Sequence, residues 1–516
     1  MKKTFVGLGW ARSLVLAVFA VWLSGCTLPI TSERKLGGDE GAVVLKLITN
    51  GRSSFDPAET LSKLELIKDV PAGTQSSGTS TLVRTRAVTH RTTIFSGVLS
   101  PGFYSVLQAQ GVGNAGSRRD MEYTFPMRGM LGRFEVKAGE VSLLGTVLVQ
   151  PLEGTRFNVA YVPPDAELAE TFESLFPALA TQTRGRPTHS FEATQQLQRR
   201  IEMAPQIKRA SALVNRFEQP ERGDFYAGGK LGRVLWRKAG DRNWRESDVA
   251  TWRELLSVRP YRGGLLVAGE EGLLRYSSDG RTNWVALTAP DKGLIEAAEP
   301  LPNGKVMALV RRDAEWTAYL SDDALKGNWR KLGSFPDERT RIGEPGPDRI
   351  AIAARSGNLV CVMMPTGEMQ VIDGDTGLIE RRSTGQVVMA FKAAQDGMLM
   401  TRGAQLPYST LLSTDAGKTW VDLDYSRSVK AIAFVDRKKM YAVAPVSPGL
   451  ISFKYGLMRS LDGGARWERT GDYPGNDVTD IHDMEVDLAD SSLLAIMRDG
   501  SMLRSRDEGK TWDRDL

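Results

Sequence analysis

The sequence predicts a mostly β chain that ends in a β-propeller of seven blades, with six as the alternative. Three observations carry this. Ser413-Thr-Asp415-Ala-Gly417-Lys-Thr419-Trp420, Ser460-Leu-Asp462-Gly-Gly464-Ala-Arg-Trp467 and Ser505-Arg-Asp507-Glu-Gly509-Lys-Thr511-Trp512 share one pattern, Ser-x-Asp-x-Gly-x-x-Trp. Their tryptophans lie 47 and 45 residues apart, the period of one propeller blade. Between the repeats run short apolar segments bounded by Gly, Pro and Asp, which read as strands.

Each residue of the repeat has a physical task. Asp, and more weakly Ser, accepts hydrogen bonds from nearby backbone N–H groups. Gly two positions later supplies a positive φ. The Trp carries a large apolar surface that can bury against a neighbouring sheet. Together they describe a hairpin turn that caps itself and carries an apolar peg. Fainter copies extend the array. Ser277, Asp279 and Trp284 keep the pattern with Gly280 one position early, and Ser321, Asp323 and Trp329 keep it with one residue inserted. Near Gly240, Asp241 and Trp244 only turn residues and Trp survive. The Trp-to-Trp steps are 40, 45, 91, 47 and 45, so the step of 91 hides a unit, placed at Asp375-Thr-Gly377 with its Trp lost. Of the nine tryptophans beyond residue 25, six occupy the peg position.

Gly264–Gly269 followed by Gly272–Tyr276 reads as a hairpin leading into its repeat. The runs 305–310, 349–353, 429–434 and 492–497 read as further strands. Each unit is then a four-stranded blade whose repeat joins its third and fourth strands, over residues 206–516. No spare C-terminal strand is visible to complete the first blade.

The repeat resembles the Asp-box, or BNR repeat, of sialidase-type propellers. That resemblance implies a structural role for the repeat aspartates, which sit on the rim in that family. It also implies what a sialidase needs: an arginine triad, a Tyr–Glu nucleophilic pair, an Asp acid/base and a Phe/Tyr-Arg-Ile-Pro motif early in the propeller. Here the nearest approaches are Val258-Arg259-Pro260 and Arg349-Ile350, neither in the first blade. No catalytic residue is assigned. The alternative is a glycan-active hydrolase, sialidase-like or of another kind, using two carboxylates roughly 5–9.5 Å apart in the channel. Glu270, Glu271, Glu299, Asp313 and Glu344 form the pool. The chain also resembles the photosystem II assembly factor group, whose propellers hold a client protein. A binding face is correspondingly expected at Arg259, Arg262, Arg311, Arg312 and Arg349.

At the N-terminus Lys2 and Lys3 precede the apolar run Leu14–Leu23, about ten residues where a membrane span needs roughly 20. This is the pattern of a secretory signal. Leu23-Ser24-Gly25-Cys26 resembles a bacterial lipobox, which implies cleavage after residue 25 and lipidation of Cys26. The alternative is an ordinary signal peptide with an incidental cysteine. Thr27 follows where inner-membrane retention calls for Asp, so in a Gram-negative cell the resemblance implies the outer membrane, on its periplasmic face or at the surface. Residues 26–41 then form a tether.

The 516 residues carry a net charge of +5. Removing Lys2, Lys3 and Arg12 with no acidic residue leaves about +2, which excludes a nucleic-acid footprint. Cys361 lies in the apolar run Leu359–Met364 and reads as a small core residue. Three scattered histidines, His90, His189 and His482, argue against a metal site, and no cofactor is expected.

Residues 42–165 read as β: Val43–Ile48, Lys63–Ile67 and Val147–Val149 alternate or run apolar. Leu99-Ser-Pro101-Gly102 has type II turn chemistry, and Ala138-Gly139 reads as a hairpin tip. Both resemble transthyretin-like or immunoglobulin-like sandwiches. Residues 73–80 and 114–119 read as exposed loops. Leu168, Phe172, Leu175, Phe176 and Leu179 recur at helical spacing, and Ser190 is expected to cap a second helix ended by Pro205. Residues 166–205 are thus a helical connector. The functional expectation is a lipid-anchored envelope protein whose propeller is a non-catalytic platform for a protein partner or glycan.

Overall fold

The computed structural model of the chain describes residues 30–515 except 50–60, 70–77, 88–91, 116–117, 153–156, 211–224, 338–352, 394–396, 404–408, 424–428, 448–453, 476–480, 498–500 and positions 239, 242, 314, 365 and 430. The signal segment, Cys26, Arg349 and Glu344 lie outside the described residues. The chain forms two compact units, Met1–Ala210 and Ser211–Leu516.

In the first unit ten strands join one sheet: β1 (Gly41–Thr49), β2 (Leu61–Lys68), β3 (Thr79–Ala87), β4 (Thr92–Leu99), β5 (Gly102–Ala115), β6 (Arg118–Pro126), β7 (Arg133–Val136), β8 (Val141–Pro151), β9 (Phe157–Val162) and β10 (Thr188–His189). The predicted two-layer packing is achieved by one sheet bent round a common core. Val43, Leu64, Leu82, Phe95, Tyr104, Phe134 and Val147, from seven of the strands, meet in one buried cluster. The expected hairpin at Ala138-Gly139 separates instead: β7 pairs with β5, and β8 pairs with β1. Residues 188–191 explain the parting. They pair with β8 at Val141 and Ser142 and bridge to β7 at Phe134↔Phe191, so the sheet closes on itself. Within the segment 114–119, expected as a loop, Ala115 of β5 pairs with Arg118 of β6.

β1 is buried along its whole length because both its faces are covered. Val43, Leu45 and Leu47 face the sheet core. Ala42 and Val44 face Leu168 and Phe172 of helix α1 (Ala166–Leu175), Leu179 of helix α2 (Pro177–Gln182) and Phe176 between the two. Asp165 caps α1 by accepting the Leu168 N–H at 2.9 Å. The next helix, α3 (Gln195–Arg209), is capped by Thr194 rather than Ser190, because the chain through Phe191 is still held on the sheet. Pro205 lies inside α3 and does not end it. The segment expected as a connector thus spends its apolar residues on the first unit's own sheet.

The second unit is a seven-bladed propeller: six four-stranded antiparallel sheets follow a three-stranded one. Blade I covers 225–248, blade II 255–286, blade III 294–336, blade IV 353–383, blade V 388–422, blade VI 431–472 and blade VII 481–514. In blades II to VII the strand order follows the chain. The outermost strands are short, only two residues in blades II, V and VII.

The indoles join the blades in one direction. Trp284 of blade II donates to Ser247 Oγ of blade I (3.2 Å), Trp329 to the Thr288 carbonyl behind blade II (2.9 Å), and Trp512 of blade VII to the Asp472 carbonyl of blade VI (3.3 Å). Trp420 packs with Met369 and Val371 of blade IV, and Trp467 with Met398 and Leu412 of blade V. Trp244 of blade I completes the circuit by donating to Asp515, beyond the last strand of blade VII (2.9 Å). Blade IV lacks an indole, and Ile379 takes its place against Leu332 of blade III.

Among the described residues the seam between the first and last blades is apolar and ionic. Phe225, Ala227 and Leu235 of blade I pack on Leu494, Ile496 and Met502 of blade VII. Beside them lies a buried ionic clasp. Arg237, fully buried, reaches Asp487 at 2.7 Å and Asp515 at 3.1 Å, and sits 4.8 Å from the ring centroids of Phe225 and Trp244. Arg504 binds Asp515 at 2.8 Å, Asp490 at 3.0 Å and Ser492 at 2.9 Å. Breaking such a pair strands a charge away from water. Arg237→Met should lower propeller stability by about 3–5 kcal/mol in urea unfolding. The exposed Arg381–Glu368 pair is the control, and Arg381→Met should cost below about 1 kcal/mol.

Candidate functional site: the charged inner ring of the propeller

The repeat turns are closed on themselves. In blade V, Ser413 donates to Asp415 (2.8 Å) and accepts from Gly417 N (2.7 Å), while Asp415 accepts from Thr419 N and its hydroxyl (2.9 and 2.6 Å). Blade VI repeats this through Ser460, Asp462, Gly464 and Arg466 N, and blade VII through Ser505, Asp507, Gly509 and Thr511. Gly417, Gly464 and Gly509 all have φ between 83° and 94°, which only glycine adopts freely. In blade II Asp279 accepts from Arg281 N and Thr282 N, and in blade III Asp323 accepts from Leu325 N. Blade IV departs from the expectation. Asp373 takes the serine position and caps Asp375 N and Thr376 N, with Gly377 at φ 79°. Asp375 turns instead to Asn303 and Asn358 (2.8 and 2.9 Å). These side chains are occupied in holding turns.

The inner strands carry a different feature. In each blade from II to VII one second-strand residue pairs with the first residue of the repeat turn: Leu265, Val306, Leu359, Leu399, Met440 and Leu493. The residue after it pairs across to the innermost strand at Arg259, Glu299, Arg355, Lys392, Ala433 and Glu485. These positions are structurally equivalent, and five of the six are charged. Two residues back on the same face stand Ser257, Ala297, Ala353, Ala431 and Asp483, mostly small.

The ring is cross-linked. Arg259 grips Glu299 of the next blade at 2.8 and 2.5 Å. Lys392 reaches past blade VI, where it touches the Ile432 carbonyl, to Asp483 (3.3 Å), Glu485 and the Met484 carbonyl (2.9 Å) of blade VII. Burial alone would push the Lys392 ammonium down, but Asp483 and Glu485 outweigh it and hold its pKa above the usual value. Arg355 is exposed, and among the described residues no carboxylate neutralises it.

The arginines expected to share one face do not converge. Arg262 lies in the turn between the first two strands of blade II and meets Asp323 at 3.0 Å. Arg311 and Arg312 end the second strand of blade III, on the opposite rim, paired with Glu296 (3.0 Å) and Asp291 (2.6 Å). The carboxylate pool is likewise dispersed. Glu270 accepts the Glu254 N–H, Glu271 pairs with Arg253 at 3.0 Å, and Asp313 sits in a turn with φ 55°. Arg355, Lys392, Asp483 and Glu485 were not singled out from sequence. For Arg355 and Lys392 the one signal was a single charge inside an otherwise apolar or small-residue inner strand, whereas Asp483 and Glu485 share their strand with Asp487.

No family model and no curated protein matches the chain. Among solved structures, YCF48 bound to a D1 peptide is similar over 57% of this chain and 93% of its own, at 15% identity and a TM-score of 0.42. YCF48 from Cyanidioschyzon merolae is similar over 57% and 95%, at 14% identity and a TM-score of 0.38. The Niastella koreensis GH74 enzyme is similar over 58% and 43%, at 16% identity and a TM-score of 0.40. Likeness at this level says nothing of activity or partner.

The turns set an acid limit on stability. The backbone N–H and then the hydroxyl of Thr511 hold Asp507 at about 2. Asp279 is held well below the carboxylate range, first by the Ser277 hydroxyl. Folded values below the unfolded value of about 3.9 mean that their contribution is complete above that pH and is lost as pH falls towards 2. Thermal midpoints should therefore drop between about pH 4 and pH 2, and Asp507→Asn should make that drop shallower.

Proposed function

We propose that this protein is a lipid-anchored envelope component whose propeller recognises a protein partner without catalysing a reaction on it. The observation that carries the reading is the state of the inner ring. Its carboxylates, Glu299, Asp483 and Glu485, are each paired with a cation of the chain, which suits them poorly to act as an acid/base pair. Arg355 is the ring cation left open, and a guanidinium suits a carboxylate on an acidic segment of a partner. A rigid disc with many loops suits recognition of a folded partner's extended segment. The lipid anchor rests on Leu23-Ser24-Gly25-Cys26, and the outer-membrane location on Thr27 after the cysteine.

Two measurements test this. Cys26→Ser should move the chain from the membrane fraction to the soluble fraction. Cross-linked pull-downs from intact membranes should enrich the same partner with the native chain and with Cys26→Ser, and lose it with Arg355→Glu. No partner above an untagged control, or cleavage of a glycan abolished by a channel carboxylate substitution, would overturn the reading.

A further inference from the structure

We propose that Lys392 is a tethered cation: its ammonium fills an oxygen cage at the propeller axis that would otherwise take a divalent metal ion, and so locks the inner strands of blades V, VI and VII together. Four oxygens surround the Nζ. Two are carbonyls, Met484 at 2.9 Å and Ile432 at 3.4 Å, and two are carboxylates, Asp483 at 3.3 Å and Glu485. An all-oxygen set of carbonyls and carboxylates is the donor chemistry of Ca2+ sites. The carboxylates stand two apart on one strand and so share a face. Their side chains are 22% and 18% exposed and that of Lys392 is 13%, so water screens the group weakly.

Charge explains why the cage needs an occupant. Two carboxylates on one face repel unless a cation lies between them. An ammonium brings three donors and one positive charge to these oxygens. A divalent ion would bring two charges to the same set. The other described ring charges are committed elsewhere or point to solvent: Arg259 is held by Glu299, and Arg355 is exposed. The lysine reaches this position on a four-carbon stem from a blade that is not a neighbour of the carboxylates. The inference stands independently of any partner.

The test uses the full chain and thermal unfolding. Lys392→Ala should lower the midpoint by roughly 10 °C, as expected when a paired charge is lost from a poorly solvated site. Millimolar Ca2+, or n-propylammonium as a detached copy of the missing side chain, should restore at least half of the loss while leaving the native chain unchanged. The triple change Lys392→Ala, Asp483→Asn, Glu485→Gln should be insensitive to both. If Lys392→Ala does not fold alone, refolding with and without Ca2+ gives the answer, because only the Ca2+ sample should become soluble. A midpoint equal to native, a loss that neither cation reduces, or refolding that Ca2+ does not help would each overturn the proposal.

Discussion

The guanidinium of Arg237 bears the constraint on which the propeller depends. Seven sheets arranged about an axis gain nothing from circularity until the first meets the last. Among the described residues that joint is an ion cluster beside an apolar contact. Arg237 and Arg504 share Asp487 and Asp515, so the last blade, the residue beyond it and the first blade are held by the same charges. The rings of Phe225 and Trp244, each 4.8 Å from the Arg237 guanidinium, help keep water away and raise the worth of each pair.

The same logic repeats round the ring at lower cost. Every turn of the Ser-x-Asp type satisfies its own backbone donors, and the indole or Ile379 that follows leans on the blade before it. Because Trp244 leans on blade VII in the same sense, the seam is a variation on the ordinary interblade contact, reinforced where no covalent link supports it. A closed disc then presents its inner ring in one geometry, as the proposed recognition without chemistry requires.

Repeats made most of the propeller legible. The step of 91 between Trp329 and Trp420 exposed blade IV even though its indole is gone. The detail of that blade was not, because Asp375-Thr-Gly377 fits the Asp-x-Gly pattern and only hydrogen bonds show that Asp373 is the cap and Asp375 the bridge. The inner ring was hidden for a geometric reason. Hairpins between first and second strands differ in length from blade to blade, so Arg259, Glu299, Arg355, Lys392 and Glu485 keep no constant distance from their repeat serines. The clasp was hidden by separation along the chain, with Arg237 and Asp515 at opposite ends of the propeller. Arginine counting failed because runs such as Arg311-Arg312 say nothing about which rim they reach or which carboxylate awaits them. In the first unit, composition gave the strands, but the insertion of 188–191 between β7 and β8 was invisible because only two residues there form a strand.

The brevity of the outer strands bears on life at high density. Val285–Ala286, Val421–Asp422 and Asp513–Arg514 offer a foreign strand a template of two residues each. The longest outer strand, Arg330–Pro336, opens on two basic residues and ends on proline, which cannot donate to a ladder. Blades with so little free backbone at their outer edges can lie beside copies of the disc at high density without polymerising through those edges.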